Sequence, residues 1–489
     1  MSRLILVFVA LWPLTNGAQT NFTMRPLSLK DCIEIALKHN LEIKVQRYEP
    51  QIARLNVALA YADYEPTLAS SGIRSKRTDA GNSSNAVDTI TKEETFNANI
   101  IGLLPTGLSY DLGGGISGNR GTDPNGRFES TSGEVSLELR QPLLRNSWID
   151  ITRLTIQTSK KLLKISELNL RQQIMATVTS VELAYYDLKL AQQNVSVQEQ
   201  ALKLAEELLS ANRQRVEQGV LAPLDEKQAE SQVAAQRAIL LVAQRLLAAQ
   251  QNVLKSLLSD DMSEWRDILI EPVDEMSASP AAVDREGSWT RGLTLRPDLL
   301  QARLEVERLG LVVKYNRNQL YPQLDLVGSY GFAGTEREYS GAFRNIGRAN
   351  SPVYSYGAIL SVPLGNRAAR SNYRITKAEQ QQALVELQQL EQNIMLQIED
   401  VVNLARTNFE RVGATHDARL FAESALEAEQ SKLENGRSTS FFVLQLQRDL
   451  TAARTAEIQA LADYNKALAN LALREGTVFE RNKITFENE

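Results

Sequence analysis

Only one cysteine and two histidines occur in 489 residues. The lone thiol, Cys32, excludes an intrachain disulfide. It reads as a small residue packed on the apolar side of Cys32-Ile33-Glu34-Ile35-Ala36-Leu37. His39 and His416 lie far apart, each within a helical stretch, and read as solvated helix residues. Neither zinc-ligand spacing nor a nucleophile elbow is present. One literal match, Gly113, Gly115 and Gly118, spells the dinucleotide fingerprint, but Asn119-Arg120-Gly121-Thr122 follows rather than a helix to hold a pyrophosphate. The expected protein has no catalytic site, no metal site and no cofactor. The formal charge of −5 comes from interspersed acids and bases, with no basic stripe, so nucleic acid is not expected as a partner. Beyond the N-terminus no apolar run is long enough to cross a bilayer as a helix, so any membrane span must be a β-barrel.

What is present is helical and duplicated. Aromatics are sparse at 6%, whereas Ala, Leu, Gln and Glu recur in long runs that favour extended helix. Met1 to Ala18 reads as a secretory signal, with Arg3 as the positive start, Leu4 to Leu14 as the apolar stretch and Gly17-Ala18 as the small-residue exit. Beyond it, four landmarks recur in the same order. Asn40-Leu41-Glu42-Ile43 and Arg296-Pro297-Asp298-Leu299 each open a helix, Tyr64-Glu65-Pro66 matches Leu320-Tyr321-Pro322, and Gln141-Pro142-Leu143 matches Val362-Pro363-Leu364. Val216-Glu217-Gln218-Gly219 matches Leu433-Glu434-Asn435-Gly436, with Gln228 and Gln445 following at equal distance. The expected division is a signal peptide at 1–18, a first repeat at 19–274, a second at 275–476 and a tail at 477–489. The first repeat is a helix, strands at 66–76 and within 94–142, a long helix to 218 and a helix at 223–258. The second is a helix, strands at 323–333 and 353–364, a long helix to 435 and a helix at 439–474.

The long helices carry heptads: Val181, Leu188, Val195, Leu202, Leu209 and Val216, then Ile398, Ala405, Val412, Leu426 and Leu433 with Arg419 breaking the run. Such a period demands a supercoil with neighbouring helices. Between the helices the pattern has period two. Phe96, Ala98 and Ile100 alternate with Asn97 and Asn99, and Tyr354, Tyr356, Ala358, Leu360 and Val362 share one face. This suits a soluble hairpin on a core, or barrel strands with an aromatic outer face and a polar inner one. The first repeat is longer between its two prolines, which suggests an added hairpin turning at Leu104-Pro105-Thr106-Gly107, with Gly118 to Gly133 as a surface loop. One chain has too few strands to close a barrel. Symmetry-related copies must share it, and a trimer would reach twelve or eighteen strands.

The residues Leu27-Ser28-Leu29, Arg296-Pro297-Asp298-Leu299, Gln141-Pro142-Leu143-Leu144-Arg145 and Gly436-Arg437-Ser438-Thr439-Ser440-Phe441 resemble the TolC-like outer-membrane efflux protein family over nearly the whole mature chain. The resemblance implies an α+β membrane protein: a trimeric transmembrane β-barrel continued by a long α-helical coiled-coil barrel, built from two tandem repeats per chain. It implies an outer-membrane location with the helical part in the periplasm of a Gram-negative-type bacterium. The implied role is the passive exit duct of a tripartite efflux or type I secretion system for small molecules or polypeptides. The implied partners are two further copies, a periplasmic adaptor, an inner-membrane pump and outer-membrane lipid. A soluble periplasmic coiled-coil adaptor or scaffold is the alternative reading. In the family, turns matching Gly219, Pro223 and Gly436 form the periplasmic tip, and acids often ring the constriction at positions matching Phe442 and Gln445. Neither acid is here, although Asp225, the first-repeat equivalent of Phe442, is kept. Phe442 is then either an apolar constriction or a residue packed between helices.

Overall fold

The computed structural model describes residues 23–79, 88–123, 126–219, 221–280 and 284–484. The expected signal peptide and the last residues of the tail lie outside them. In chain order these residues form β1 (Thr23–Leu27), α1 (Leu29–His39), α2 (Leu41–Gln46), α3 (Tyr48–Tyr61), β2 (Thr67–Asp79), β3 (Thr89–Leu103), β4 (Ser109–Asp123) and β5 (Gly126–Pro142). Next come α4 (Ile151–Glu217), α5 (Pro223–Leu258), β6 (Ile268–Pro272), α6 (Arg285–Leu295), α7 (Pro297–Asn318), β7 (Gln323–Glu336), α8 (Tyr339–Gly347) and β8 (Pro352–Ser361). The chain ends in α9 (Arg367–Glu434), α10 (Ser440–Glu475) and α11 (Val478–Arg481). It divides into two compact units. One holds the described residues of Met1–Lys44, Gln173–Gly292 and Leu396–Glu489; the other holds those of Val45–Gln172 and Leu293–Met395.

The second unit contains a six-stranded antiparallel sheet in the order β2-β3-β4-β5-β7-β8. Four strands come from the first repeat and two from the second. The Leu104–Leu108 turn joins β3 to β4: Leu104 N–H donates to the Leu108 carbonyl and Gly107 N–H to that of Leu104, both at 2.8 Å. Gly107 takes φ +84°, a conformation without penalty only for glycine. The surface loop expected from Gly118 to Gly133 is corrected by the structure. Gly118 to Asp123 complete β4, and Gly126 to Gly133 begin β5. Glycine here marks close approach rather than a turn. A Cβ on Gly118 would lie 2.2 Å from the Tyr339 hydroxyl, and one on Gly133 would lie 2.9 Å from Ile346, so α8 rests directly on this stretch of sheet.

The first unit is organised by a parallel β1–β6 pair and the long helices. Ser28 caps α1 in a reciprocal box with Asp31. Tyr185 of α4 is fully buried, and its hydroxyl donates to Asp274 (2.9 Å) or the Leu27 carbonyl (3.2 Å) while accepting from the Asp274 N–H (3.1 Å). Gln251 of α5 bonds both backbone groups of Ile270 in β6, at 2.7 and 3.0 Å. Cys32 is completely buried, and desolvation pushes its thiol up to about 12, so it is inert packing. His39 and His416 are exposed on their helices, each facing an acid, Asp260 at 3.4 Å and Glu457 at 2.7 Å.

Along α4 the buried seam is Ala184, Ala191, Gln198, Ala205 and Asn212, and along α5 it is Ala229, Gln236 and Ala243, each at seven-residue spacing. Gln198 and Gln236 bond each other at 2.6 Å. Small and amide side chains let these helices approach closely; of the expected heptad, Val181, Leu188 and Val195 are buried as well, whereas Leu202, Leu209 and Val216 are only half-buried. In α9, Ile398, Ala405, Leu426 and Leu433 are buried, while Arg419 makes an ion pair with Glu457 of α10 at 2.6 Å.

Two outcomes are expected. Tyr185→Phe leaves Asp274 without its buried partner and lowers unfolding stability by about 1–2 kcal/mol, read as a shifted urea midpoint at unchanged slope. Asp260 titrates at about 2, below its ordinary 3.8, because Lys44 and then His39 hydrogen-bond its carboxylate. That stabilisation is present above the unfolded value and lost as pH falls through about 2. Asp260→Asn therefore reduces the loss of stability between about pH 4 and pH 2 in acid-unfolding curves.

Candidate functional site

The two helix turns are built by the same backbone device. α9 ends with Gly436 N–H on the Leu433 carbonyl (3.1 Å) and Arg437 N–H on that of Lys432 (2.8 Å). Gly436 is at φ +73°, which makes this a Schellman cap. Gly219, at φ +75°, closes α4 with its N–H on the Val216 carbonyl at 3.0 Å. Pro223 then occupies the first turn of α5, where a missing N–H costs nothing. Neither glycine has an atom within 4 Å of its absent Cβ, so conformation rather than crowding selects glycine.

Around these turns the sequence-level site residues take different positions. Asp225 is half-buried in the first turn of α5, with its N–H on the Ala222 carbonyl at 3.0 Å. Phe442 is 54% exposed, beside Phe441 with ring centroids 5.8 Å apart. The packed core next to it consists instead of Val443 and Leu444 with Leu208, Leu426 and Leu433. Gln445 is exposed. A hydrogen bond that the sequence did not foretell, between Asn212 and Ser440, joins the halves. Asn212 of α4 is wholly buried; its amide donates to the Asp225 carbonyl (3.5 Å), and its oxygen accepts from the Ser440 hydroxyl (2.9 Å). Charges dress the outside. Arg213 pairs with Glu226 and Glu230 at 3.0 and 3.3 Å. Glu429 is held below the usual carboxylate range by Lys432 and then by the Ser438 hydroxyl.

The sheet has two unlike faces. One register row, Leu68-Ile100-Leu112-Leu137-Tyr330-Tyr354, crosses all six strands and is apolar throughout. The alternate rows carry Asn97, Asn99, Asp111, Glu134 and Glu138, and these line a concavity. A convex apolar face with aromatics and a concave polar face form the wall of a water-filled barrel in lipid. No helix among the described residues is long and apolar enough to cross a membrane, and none of their His, Cys, Asp and Glu groups could hold a metal ion.

The sequence matches the family described as "Outer membrane efflux protein" over residues 32–259 and 291–477. The chain belongs to that family. Two curated relatives agree. "Outer membrane efflux protein BepC" of Brucella suis is 22% identical over 385 residues, covering 77% of this chain and 78% of that protein. "Proteases secretion protein PrtF" of Dickeya chrysanthemi is 23% identical over 402 residues, covering 78% and 82%. Among solved structures, the Campylobacter jejuni CmeC outer membrane channel superposes with a TM-score of 0.68 at 15% identity, over 92% of this chain and 85% of that one. The fold is that of the TolC-like channels, a β-barrel with a helical barrel built from two tandem repeats. The protein is an outer-membrane efflux channel component whose helical part extends into the periplasm, not a free periplasmic scaffold. The family is one of transport ducts rather than enzymes, and it works with an adaptor and an inner-membrane pump.

Asn212→Ala should remove the buried link between the turns. The expected result is faster amide exchange in the first turns of α5 and α10, by about 1–3 kcal/mol of local opening energy, with the β-sheet amides unchanged.

Proposed function

We propose that three copies of this chain form a passive exit duct in the outer membrane, gated at the Gly219 and Gly436 turns. The observation that carries this reading is the pair of open edges on the sheet. β2 and β8 are 13 and 10 residues long, and each has a single neighbour among the described residues. In hydrocarbon an unpaired edge leaves backbone groups with nothing to bond, so the edges must meet those of other copies. β2 leaves the helical end and β8 returns to it, so β8 of one copy and β2 of the next run antiparallel, and three six-stranded sheets close an eighteen-stranded wall. Exposed apolar residues along the helices, including Leu241, Val242, Leu404 and Phe421, support the same grouping, since each needs a neighbour to cover it.

At the turns, Phe442 with Gln445 and Asp225 form the constriction in this reading. A ring of Phe442 closes by excluding water rather than by charge. The energy for export comes from an inner-membrane pump reached through a periplasmic adaptor that docks at the turns. The names of the relatives, one an efflux protein and the other a proteases secretion protein, support efflux or protein secretion as the duty of the duct.

The test of assembly is light scattering of detergent-extracted protein, with a mass of three chains expected. A detergent-free monomer in the periplasmic fraction would overturn it. For the gate, Phe442→Asp should raise single-channel conductance in planar bilayers severalfold while the trimer survives. Unchanged conductance would displace the constriction from these residues.

A further inference from the structure

The convex face of the sheet changes character toward the strand ends farthest from the helices. Beyond the apolar rows come Arg74, Glu94, Gly118 and Thr131, and then Lys76, Lys92, Arg120 and Glu129, each set in direct register across β2 to β5. Because the register has period two, both rows share the face of Leu68, Ile100 and Leu112. The first of them is self-neutralised: Glu94 pairs with Arg74 at 3.0 Å and Arg120 at 2.7 Å and accepts from the Tyr339 hydroxyl at 3.2 Å. The second is not. Lys76 opposes Lys92, which opposes Arg120, and among the described residues no acid pairs with either lysine. Like charges directly opposed across strands destabilise a sheet, so this row is built for an anion the chain does not supply.

Depth identifies the anion's source. Lys76 lies eight residues beyond Leu68 on β2. That is ~27 Å along the strand and ~20 Å along the membrane normal at the usual barrel tilt. The lysine row therefore sits near the outer edge of an apolar band ~25 Å tall, at headgroup level of the outer leaflet. α8 lies against the same face. Its Ala342 is buried and Ile346 meets Gly133 and Gly334, while Phe343, Arg344 and Arg348 are exposed. Neither arginine has an acidic partner among the described residues. A short helix with a phenylalanine and two arginines on its free side has the composition of an interfacial lipid-binding helix.

We infer that Lys76 and Lys92, flanked by α8, form a binding site for the phosphate groups of the outer-leaflet glycolipid. The inference rests on the barrel reading for which face meets lipid and for the depth of the row. The two ammonium groups supply the charge, with the exposed guanidiniums of Arg344 and Arg348 beside them, and Phe343 supplies contact with the acyl boundary. Arg77, on the opposite, concave-side register and paired with Asp79 at 2.8 Å, takes no part.

The test is native mass spectrometry of the full-length, detergent-solubilised protein with bis-phosphorylated lipid A as the probe. Dephosphorylated lipid A and inorganic phosphate serve as parallel arms. The expected result is retention of the phosphorylated lipid, none of the dephosphorylated lipid, and no displacement by millimolar phosphate. The double variant Lys76→Gln, Lys92→Gln should bind about thirtyfold more weakly, whereas Lys76→Arg, Lys92→Arg and Arg77→Gln should bind as the parent does. Equal retention by the Gln pair, equal loss with Arg77→Gln, or displacement by free phosphate would overturn the site. Intact oligomer mass in the same spectra separates that outcome from a failure of the assembly itself.

Discussion

Backbone hydrogen bonding in hydrocarbon is the constraint on which this molecule depends. Water cannot satisfy an exposed amide there, so a sheet that enters lipid must close or borrow a neighbour. The chain makes a six-stranded sheet and, among the described residues, leaves the outer edges of β2 and β8 open. The duplication, the long helices and the paired turns fit a protein whose pieces are completed by copies of itself. The same logic explains the seams of α4 and α5. Ala184, Ala191, Ala229 and Ala243 bury small side chains, while larger apolar residues on other faces stay uncovered within one chain.

Polar groups are used sparingly, where two elements must hold a set position. Tyr185 fastens Asp274 and Leu27 to α4, Gln251 completes the backbone bonding of Ile270, and Asn212 ties Asp225 to Ser440. Each is buried with its partners in reach, the condition under which a buried polar group specifies geometry without leaving an unmet bond. Near the turns the charged residues stay outside, on Arg213, Glu226 and Glu429.

Much of this was legible in the sequence, because the strongest signals are periodic. Leu68, Ile100, Leu112, Leu137, Tyr330 and Tyr354 show as alternation in their separate strands, and the structure aligns them in one row. The repeat was visible because Gly219 and Gly436 need the same left-handed backbone. What failed did so for physical reasons. Gly118 to Gly133 reads as loop because its glycines accommodate α8, and that helix is built more than two hundred residues later in the chain. The α4 heptad holds through Val181, Leu188 and Val195, which are buried, but toward the turn Leu202, Leu209 and Val216 are half-buried while the smaller Ala205 and Asn212 take the buried line. Asn212 and Ser440 are ordinary polar residues in sequence, and only the fold brings them together; the one clue was that Asn212 continues the seven-residue line of Ala184, Ala191, Gln198 and Ala205.

The direction of the strands limits how such a wall can change. β2 departs from the side where α3 ends, and β8 comes back to the side where α9 begins. Strands can then be gained or lost only as up-and-down couples, since an odd number would deliver the long helix to the wrong side of the membrane. The β3–β4 couple is one such unit. A barrel's girth scales with its strand count, so inserting this couple enlarges the perimeter by half relative to a four-stranded chain while the helix complement stays fixed.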